Sequence, residues 1–264
     1  MGYVEAIVLG LIQGLTEFLP ISSSGHLLIV PELFGWDDPG AAFTAIIQLG
    51  TIAAVLVYFR ADLGTIFAGA WAGARDRSKR DTPEWRLFWM VALGTIPIGI
   101  AGFVFRDQIE TSARNIQLTA VMLIVFGLVM EAADRLGPQR DELRDLTVRN
   151  GVLVGFAQAL ALIPGVSRSG STISMGRFLG MERQAAARYS FLLSIPAVVL
   201  SGGFSLKDVG NGVDLGPTIV ASIVAFISGY AAIAFLIDYL GKHGMTVFTA
   251  YRVVLGIALL VWVA

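Results

Sequence analysis

Cysteine is absent from all 264 residues, which excludes disulfides, thiolate nucleophiles and cysteine-ligated metals but leaves the compartment open. Charge is scarce as well: 15% of residues are charged, against about 25% in a typical soluble domain. The basic side chains sit in short clusters between apolar runs, so the net charge of −1 gives no footprint for nucleic acid. No glycine-rich loop with a Walker lysine is present, and no G-x-S-x-G elbow, so nucleotide hydrolysis and α/β-hydrolase chemistry have no support. What abounds is apolar: 55% of the residues are hydrophobic and the mean hydropathy is +0.72. One soluble core of this size could not hide that much apolar surface, whereas a bilayer can. Met1-Gly2-Tyr3-Val4-Glu5 places no Lys or Arg ahead of the first apolar stretch, and no small-x-small cleavage pattern follows. The segment therefore reads as part of the mature chain.

Crossing about 30 Å of hydrocarbon takes roughly 20 apolar residues as a helix. Six stretches qualify: about 41–59, 87–105, 116–134, 186–205, 217–240 and 246–264. Two others are interrupted. Residues 2–19 run into Pro20-Ile21-Ser22-Ser23-Ser24-Gly25-His26 and resume as Leu27–Phe34; residues 151–163 run into Pro164–Thr172 and resume to about Leu179. Short apolar arms broken by Pro, Gly and Ser point to re-entrant hairpins. The first arm is the longer one and would also suit a full crossing.

Basic residues test this layout. The loop 60–86 carries Arg60, Arg75, Arg77, Lys79, Arg80 and Arg86, and the connection 135–149 carries Arg135, Arg140, Arg144 and Arg149. Arg177, Arg183, Arg188 and Lys242 bring this side to fourteen, against Arg106, Arg114 and Lys207 on the other, with Arg168 and Arg252 assigned to motif and helix. The asymmetry holds only if each broken segment returns to its own side. A shift of 145 places Gly10 on Gly155, Gln13 on Gln158, Ser22 on Ser167, Ser24 on Ser169 and Gly25 on Gly170. The run Phe43–Ile47 likewise echoes Tyr189–Leu193. The expectation is an all-α integral membrane protein, with six transmembrane helices and two re-entrant helical hairpins in an inverted-topology repeat. It forms a single membrane domain over 1–264, its first repeat about 1–135 and its inverted second repeat about 150–264. Such repeats bring their broken tips together near the midplane.

The polar residues of the two breaks carry the chemistry. Gln13 and Glu17 share one helix face, and a carboxylate at membrane depth, costing about 2.5–3.5 kcal/mol, faces a cavity and a partner. Glu17 is open to three roles: a helix-end residue in the headgroup region, a ligand for Mg²⁺ or Ca²⁺, or a general base. Ser22, Ser23 and Ser24 could each be a helix cap, but three hydroxyls followed by Gly25 and His26 exceed what capping needs. Exposed N–H groups there would bind an anion, and His26 could move a proton or assist Ser23 as nucleophile, or be a satisfied polar residue. His243, beside Lys242 in a loop, has no such setting. Arg168 cannot lose its proton and its planar fork matches phosphate oxygens. Between serines and glycines inside a bilayer it calls for an anion, or for an ion pair with Glu17 across the repeat interface. Gly165, Ser167, Ser169, Ser171 and Thr172 surround it with hydroxyls and helix N–H groups. Together these parts suit a pyrophosphate whose lipid tail lies in the bilayer.

At these residues the sequence closely resembles the undecaprenyl-diphosphate phosphatases of the bacitracin-resistance type. Their motif (E/Q)-x-x-x-E is here Gln13-Gly14-Leu15-Thr16-Glu17, followed by Ser22–His26, and their motif P-G-x-S-R-S-x-x-T is intact as Pro164–Thr172. The resemblance covers essentially the whole chain. It implies a polyprenyl diphosphate substrate cleaved to the monophosphate carrier plus phosphate, dependence on Mg²⁺ or Ca²⁺, and carrier recycling for peptidoglycan synthesis in the bacterial inner (cytoplasmic) membrane. It assigns Glu17 to the metal-associated acid, Ser23 to the proposed nucleophile, His26 to the catalytic imidazole and Arg168 to phosphate binding, with serine and histidine both open as the attacking group. Gln13 stands where many members have Glu, so it orients the metal site rather than supplying a charged ligand. A lipid-phosphate transporter or flippase would want the same anion site and architecture, but needs no nucleophile. A purely structural scaffold leaves Arg168 unexplained. Gly94, Gly99 and Gly102 would permit close packing within the chain or against a second copy in a homodimer.

Overall fold

A proline follows the first helical segment of each half of the chain, in the second half after a 3₁₀ turn at Leu160–Leu162. The residue before proline is pushed out of the helical region, and Leu19, before Pro20, has ψ 140°, while Ile163, before Pro164, has ψ 125°. The computed structural model describes residues 1–37, 40–106, 108–109, 115–138, 140–205 and 214–263, without the side chains of 41 and 201–205. Arg114 and Lys207, placed above on the sparsely charged side, lie outside the described residues.

Eleven α-helices lie among the described residues: α1 (Tyr3–Phe18), α2 (Ser23–Phe34), α3 (Gly40–Tyr58), α4 (Arg60–Arg75), α5 (Pro83–Val104), α6 (Ile116–Leu136), α7 (Val148–Ala159), α8 (Arg168–Phe178), α9 (Arg183–Ser205), α10 (Leu215–Lys242) and α11 (Thr246–Trp262). Starts follow capping chemistry. Asn115 Oδ1 accepts from the Leu118 N–H at 2.8 Å, and Thr82 Oγ1 accepts from Trp85 N–H ahead of Pro83 at the first helical position. No strand occurs among the described residues.

The surface pattern is that of a membrane protein. Phe103, Val261, Val4 and Val254 face outward, whereas Gln13, Glu17, His26, Thr172, Arg177 and Arg252 are buried. Water would reverse that distribution, and lipid accepts it. α5, α6 and α10 are each long and apolar enough to span; α3 and α4 qualify only as a pair, bent by 71° at Phe59. Helix α4 occupies much of the segment read from sequence as a loop at 60–86. Its exposed Phe67 and Trp71, with Arg75 over the Trp71 ring, make it amphipathic, a pattern that long apolar windows do not detect.

Glycines let the helices approach where packing, not hydrophobicity, must hold them. α1 lies on α10 and α7 lies on α5; a Cβ on Gly10 would sit 2.3 Å from the Ala221 oxygen, and one on Gly155 2.1 Å from the Gly94 oxygen. α6 packs on α11 and α3 on α9, so partners come from opposite halves of the chain. Phe18, Phe59 and Phe191 meet in the core, Phe18 edge-on to Phe191 at 5.4 Å. Of the glycines singled out on α5, Gly94 is buried against α7, while Gly99 and Gly102 have open space where a Cβ would go.

The basic connections gather at one end. Asp62 pairs with Arg188 at 2.7 Å, Arg86 donates to the Arg144 carbonyl, and Asp134 accepts from Arg177, Arg183 and the Met245 N–H.

Candidate active site

After each proline the chain makes the same unusual turn. Among the described residues, Ser22 and Ser167 are the non-glycine residues of positive φ, at 76° and 70°, a region that L-residues enter only at a cost. The reversal lets α2 and α8 start with their N-termini at the two tips. Ser167 Oγ accepts from the Gly170 N–H at 3.2 Å and Ser169 Oγ donates to the Leu19 carbonyl at 3.2 Å, so the second tip is tied directly to the first.

Glu17 is the hub. Its Oε1 accepts from Arg168 Nη2 at 2.7 Å, and its Oε2 accepts from Ser23 Oγ at 2.7 Å and Gln13 Nε2 at 3.3 Å. Arg168 comes from 151 residues away, so the pair exists only because the tips touch. The Glu17 side chain is 7% exposed and the Arg168 side chain 14%, so the pair is largely buried. Charge-assisted bonds of this length in such surroundings are strong and directional.

Arg252 completes the platform. It is fully buried on α11 and donates to the Pro20 carbonyl at 3.1 Å, Gly165 at 2.8 Å, Val166 at 3.0 Å and Leu123 at 3.2 Å. These are carbonyls of both breaks and of α6, so one guanidinium fixes the spacing of the two tips. Its partners are carbonyl oxygens only, so its charge adds a positive field behind the site without neutralising Glu17. Sequence reasoning left Arg252 as a helix residue, although an arginine inside the apolar run 246–264 is itself a signal. Tyr251 beside it was also missed.

Other expected residues fall into distinct roles. Ser22 Oγ lies 3.3 Å from Ser24 Oγ, matching Ser167 and Ser169 at 3.3 Å. His26 is bonded to the Ser22 carbonyl and the Tyr251 hydroxyl rather than to Ser23. Thr172 is fully buried, its hydroxyl shared between the Arg168 and Ser169 carbonyls and Ser190 Oγ, so it fastens α8 to α9. A Cβ on Gly165 would meet the Thr119 oxygen at 2.4 Å, so glycine there allows the second tip to seat on α6. Among the described residues no three His, Asp or Glu side chains cluster. The donors at the centre are one carboxylate, the Gln13 amide oxygen and hydroxyls. Oxygen donors of this kind are those that Mg²⁺ and Ca²⁺ take, usually with substrate phosphates and water as further ligands.

Fold and site define a class: an all-helical membrane protein with a buried, hydroxyl-rich centre built around one ion pair between its two chain breaks. The chain belongs to the bacitracin resistance protein BacA family, whose model matches residues 6–258. It is 54% identical to an undecaprenyl-diphosphatase of Nocardioides sp., covering 99% of this chain and 97% of that protein. An undecaprenyl-diphosphatase 2 of Streptomyces coelicolor is 50% identical over 100% and 96%, and an undecaprenyl-diphosphatase of Mycolicibacterium smegmatis 53% identical over 98% and 96%.

Proposed function

We propose that this chain hydrolyses undecaprenyl diphosphate to undecaprenyl phosphate and inorganic phosphate, recycling the lipid carrier for peptidoglycan synthesis in the bacterial inner membrane. The contact of Glu17 with both Ser23 and Arg168 carries the reading. It puts a nucleophile, a proton acceptor and an anion-binding fork within one cluster.

On substrate entry Arg168 turns from Glu17 to the terminal phosphoryl oxygens, joined by N–H groups at the α8 N-terminus. Ser23 Oγ, already directed at Glu17 Oε2, gives up its proton there and attacks the terminal phosphorus in line. Undecaprenyl phosphate leaves, and water then cleaves the phosphoserine to release phosphate, with His26 handling the proton of that second step. Glu17 and the Gln13 amide oxygen would hold Mg²⁺ or Ca²⁺, which when bound neutralises diphosphate charge.

The architecture is six crossings and two re-entrant hairpins, related as inverted repeats. Supporting this are the matched serines at the two tips, the opposite-half helix pairings and the basic connections gathered at one end. The repeats differ where chemistry requires it. Gln13 has Glu17 four residues on, whereas Gln158 has Leu162 and its buried amide makes no hydrogen bond among the described residues. Ser23 aligns with Arg168, so one tip supplies the nucleophile and the other the anion clamp. The open Gly99 and Gly102 face of α5 is where a second copy would pack in a dimer.

Phosphate release by purified protein in detergent, with and without a chelator, tests this reading. Release should be abolished by chelation and restored by Mg²⁺ or Ca²⁺. A protein that moves lipid across vesicles but releases no phosphate would be a carrier instead.

A further inference from the structure

His26 Nδ1 lies 2.8 Å from the Ser22 carbonyl oxygen, and Nε2 lies 2.6 Å from the Tyr251 hydroxyl. A carbonyl oxygen only accepts, so Nδ1 carries the proton and Nε2 of the neutral ring holds the lone pair. Tyr251 then donates its O–H to Nε2. The ring planes are 7° apart with centroids 5.6 Å apart, so the phenol fixes the direction of the imidazole as well as its tautomer. Both ring nitrogens are thereby occupied, Nε2 by the phenol oxygen. Tyr251 is 44% exposed whereas His26 is 8% exposed, so of the two the tyrosine is the one with accessible surface.

We propose that Tyr251 is a positioning residue for phosphate release, holding His26 as the Nδ1–H tautomer and relaying protons between Nε2 and the site. The proposal rests on the reading above in which His26 serves the second step. As water attacks the phosphoserine, the proton it sheds goes to the Tyr251 oxygen while Tyr251's own proton goes to Nε2. The phosphorus–Oγ bond breaks as the new phosphorus–oxygen bond forms. Glu17 Oε2 returns to the Ser23 oxygen set free the proton it took in the first step, and the imidazolium passes the water's proton back through Tyr251 to solvent, so every group ends as it began. Relay through a hydroxyl that is both donor and acceptor needs no movement of the imidazole, only rotation of the phenolic O–H.

The chain has only two histidines, His26 and His243, so ¹⁵N-histidine labelling resolves both in the full-length protein. His243 stacks on Tyr239 at 4.6 Å and shares no partner with His26, so it serves as an internal control for folding. In the wild type, one histidine should show a protonated Nδ1 and a hydrogen-bonded Nε2. In Tyr251→Phe that Nε2 signal should move while the His243 signals stay. kcat should fall about 10- to 100-fold with KM little changed, as when the hydrogen-bond partner of a functional imidazole is removed elsewhere. Tyr251→Phe should add no further loss in a His26→Gln background, because groups acting as a unit are not additive. Wild-type kcat in Tyr251→Phe, with His26→Gln impaired, overturns the role of Tyr251 alone. Additive losses in the double variant overturn it too. Full activity of His26→Gln would instead sink the role given to His26, and that of Tyr251 with it.

Discussion

Ser22 and Ser167 stand 145 positions apart, share φ values of 76° and 70°, and each places its hydroxyl 3.3 Å from the serine two residues on. Each follows a proline by two or three residues and each immediately precedes a helix. The turn they make brings the first residues of both helices, Ser23 and Arg168, onto Glu17, so backbone strain is held at the centre of the site.

That strain can be measured at Ser22, whose side chain forms no helix cap. Ser22→Ala and Ser22→Gly both remove the hydroxyl, but only glycine accepts positive φ without a Cβ clash. Ser22→Gly should therefore be more stable than Ser22→Ala by about 1 kcal/mol, read as a higher Tm in detergent. Equal Tm values would show that the turn is not strained.

The Glu17–Arg168 pair should behave differently in stability and in activity. Glu17→Gln or Arg168→Gln alone leaves one charge uncompensated in a dry setting and should cost about 3 kcal/mol. The double variant should regain most of that loss, since the mismatch is gone. None of the three should release phosphate at better than about a thousandth of the wild-type rate, because transition-state charge loses its fixed partners. Arg168→Lys should fare little better, since an ammonium lacks the planar fork. Thermal melts alongside phosphate assays decide the matter, and an active double variant would break the assignment.

Glycines at helix crossings offer a third check. A Cβ at Gly155 meets backbone atoms of Gly94 that cannot rotate away, so Gly155→Ala should lower Tm by the equivalent of about 2 kcal/mol or more. Gly99→Ala enters open space on the same pair of helices and should be neutral, or gain up to about 1 kcal/mol from helix propensity. Matching losses at both positions would mean that Gly99 is covered by something outside the chain, such as a second copy.

Local signals travelled well from sequence to fold. Pro20 and Pro164 push Leu19 and Ile163 out of the helical region because proline restricts the residue before it, an effect that acts within a few bonds. Apolar run length located α5, α6 and α10 for the same reason: each run satisfies its own length requirement. Helix α4 is not a separate apolar run of spanning length, so a reading based on span length left it inside the connection 60–86.

The sequence by itself determined that the chain lives in lipid, where it breaks, and which side chains stand at the breaks. Only the tertiary structure decided which of them are partners. Arg168 reaches Glu17 across 151 residues, Tyr251 reaches His26 across 225, and Arg252 reaches Pro20 across 232. Such pairings depend on how α8 and α11 seat against α1 and α6. That seating is set by glycine contacts and buried carbonyls over the whole bundle, and no window of neighbouring residues encodes it.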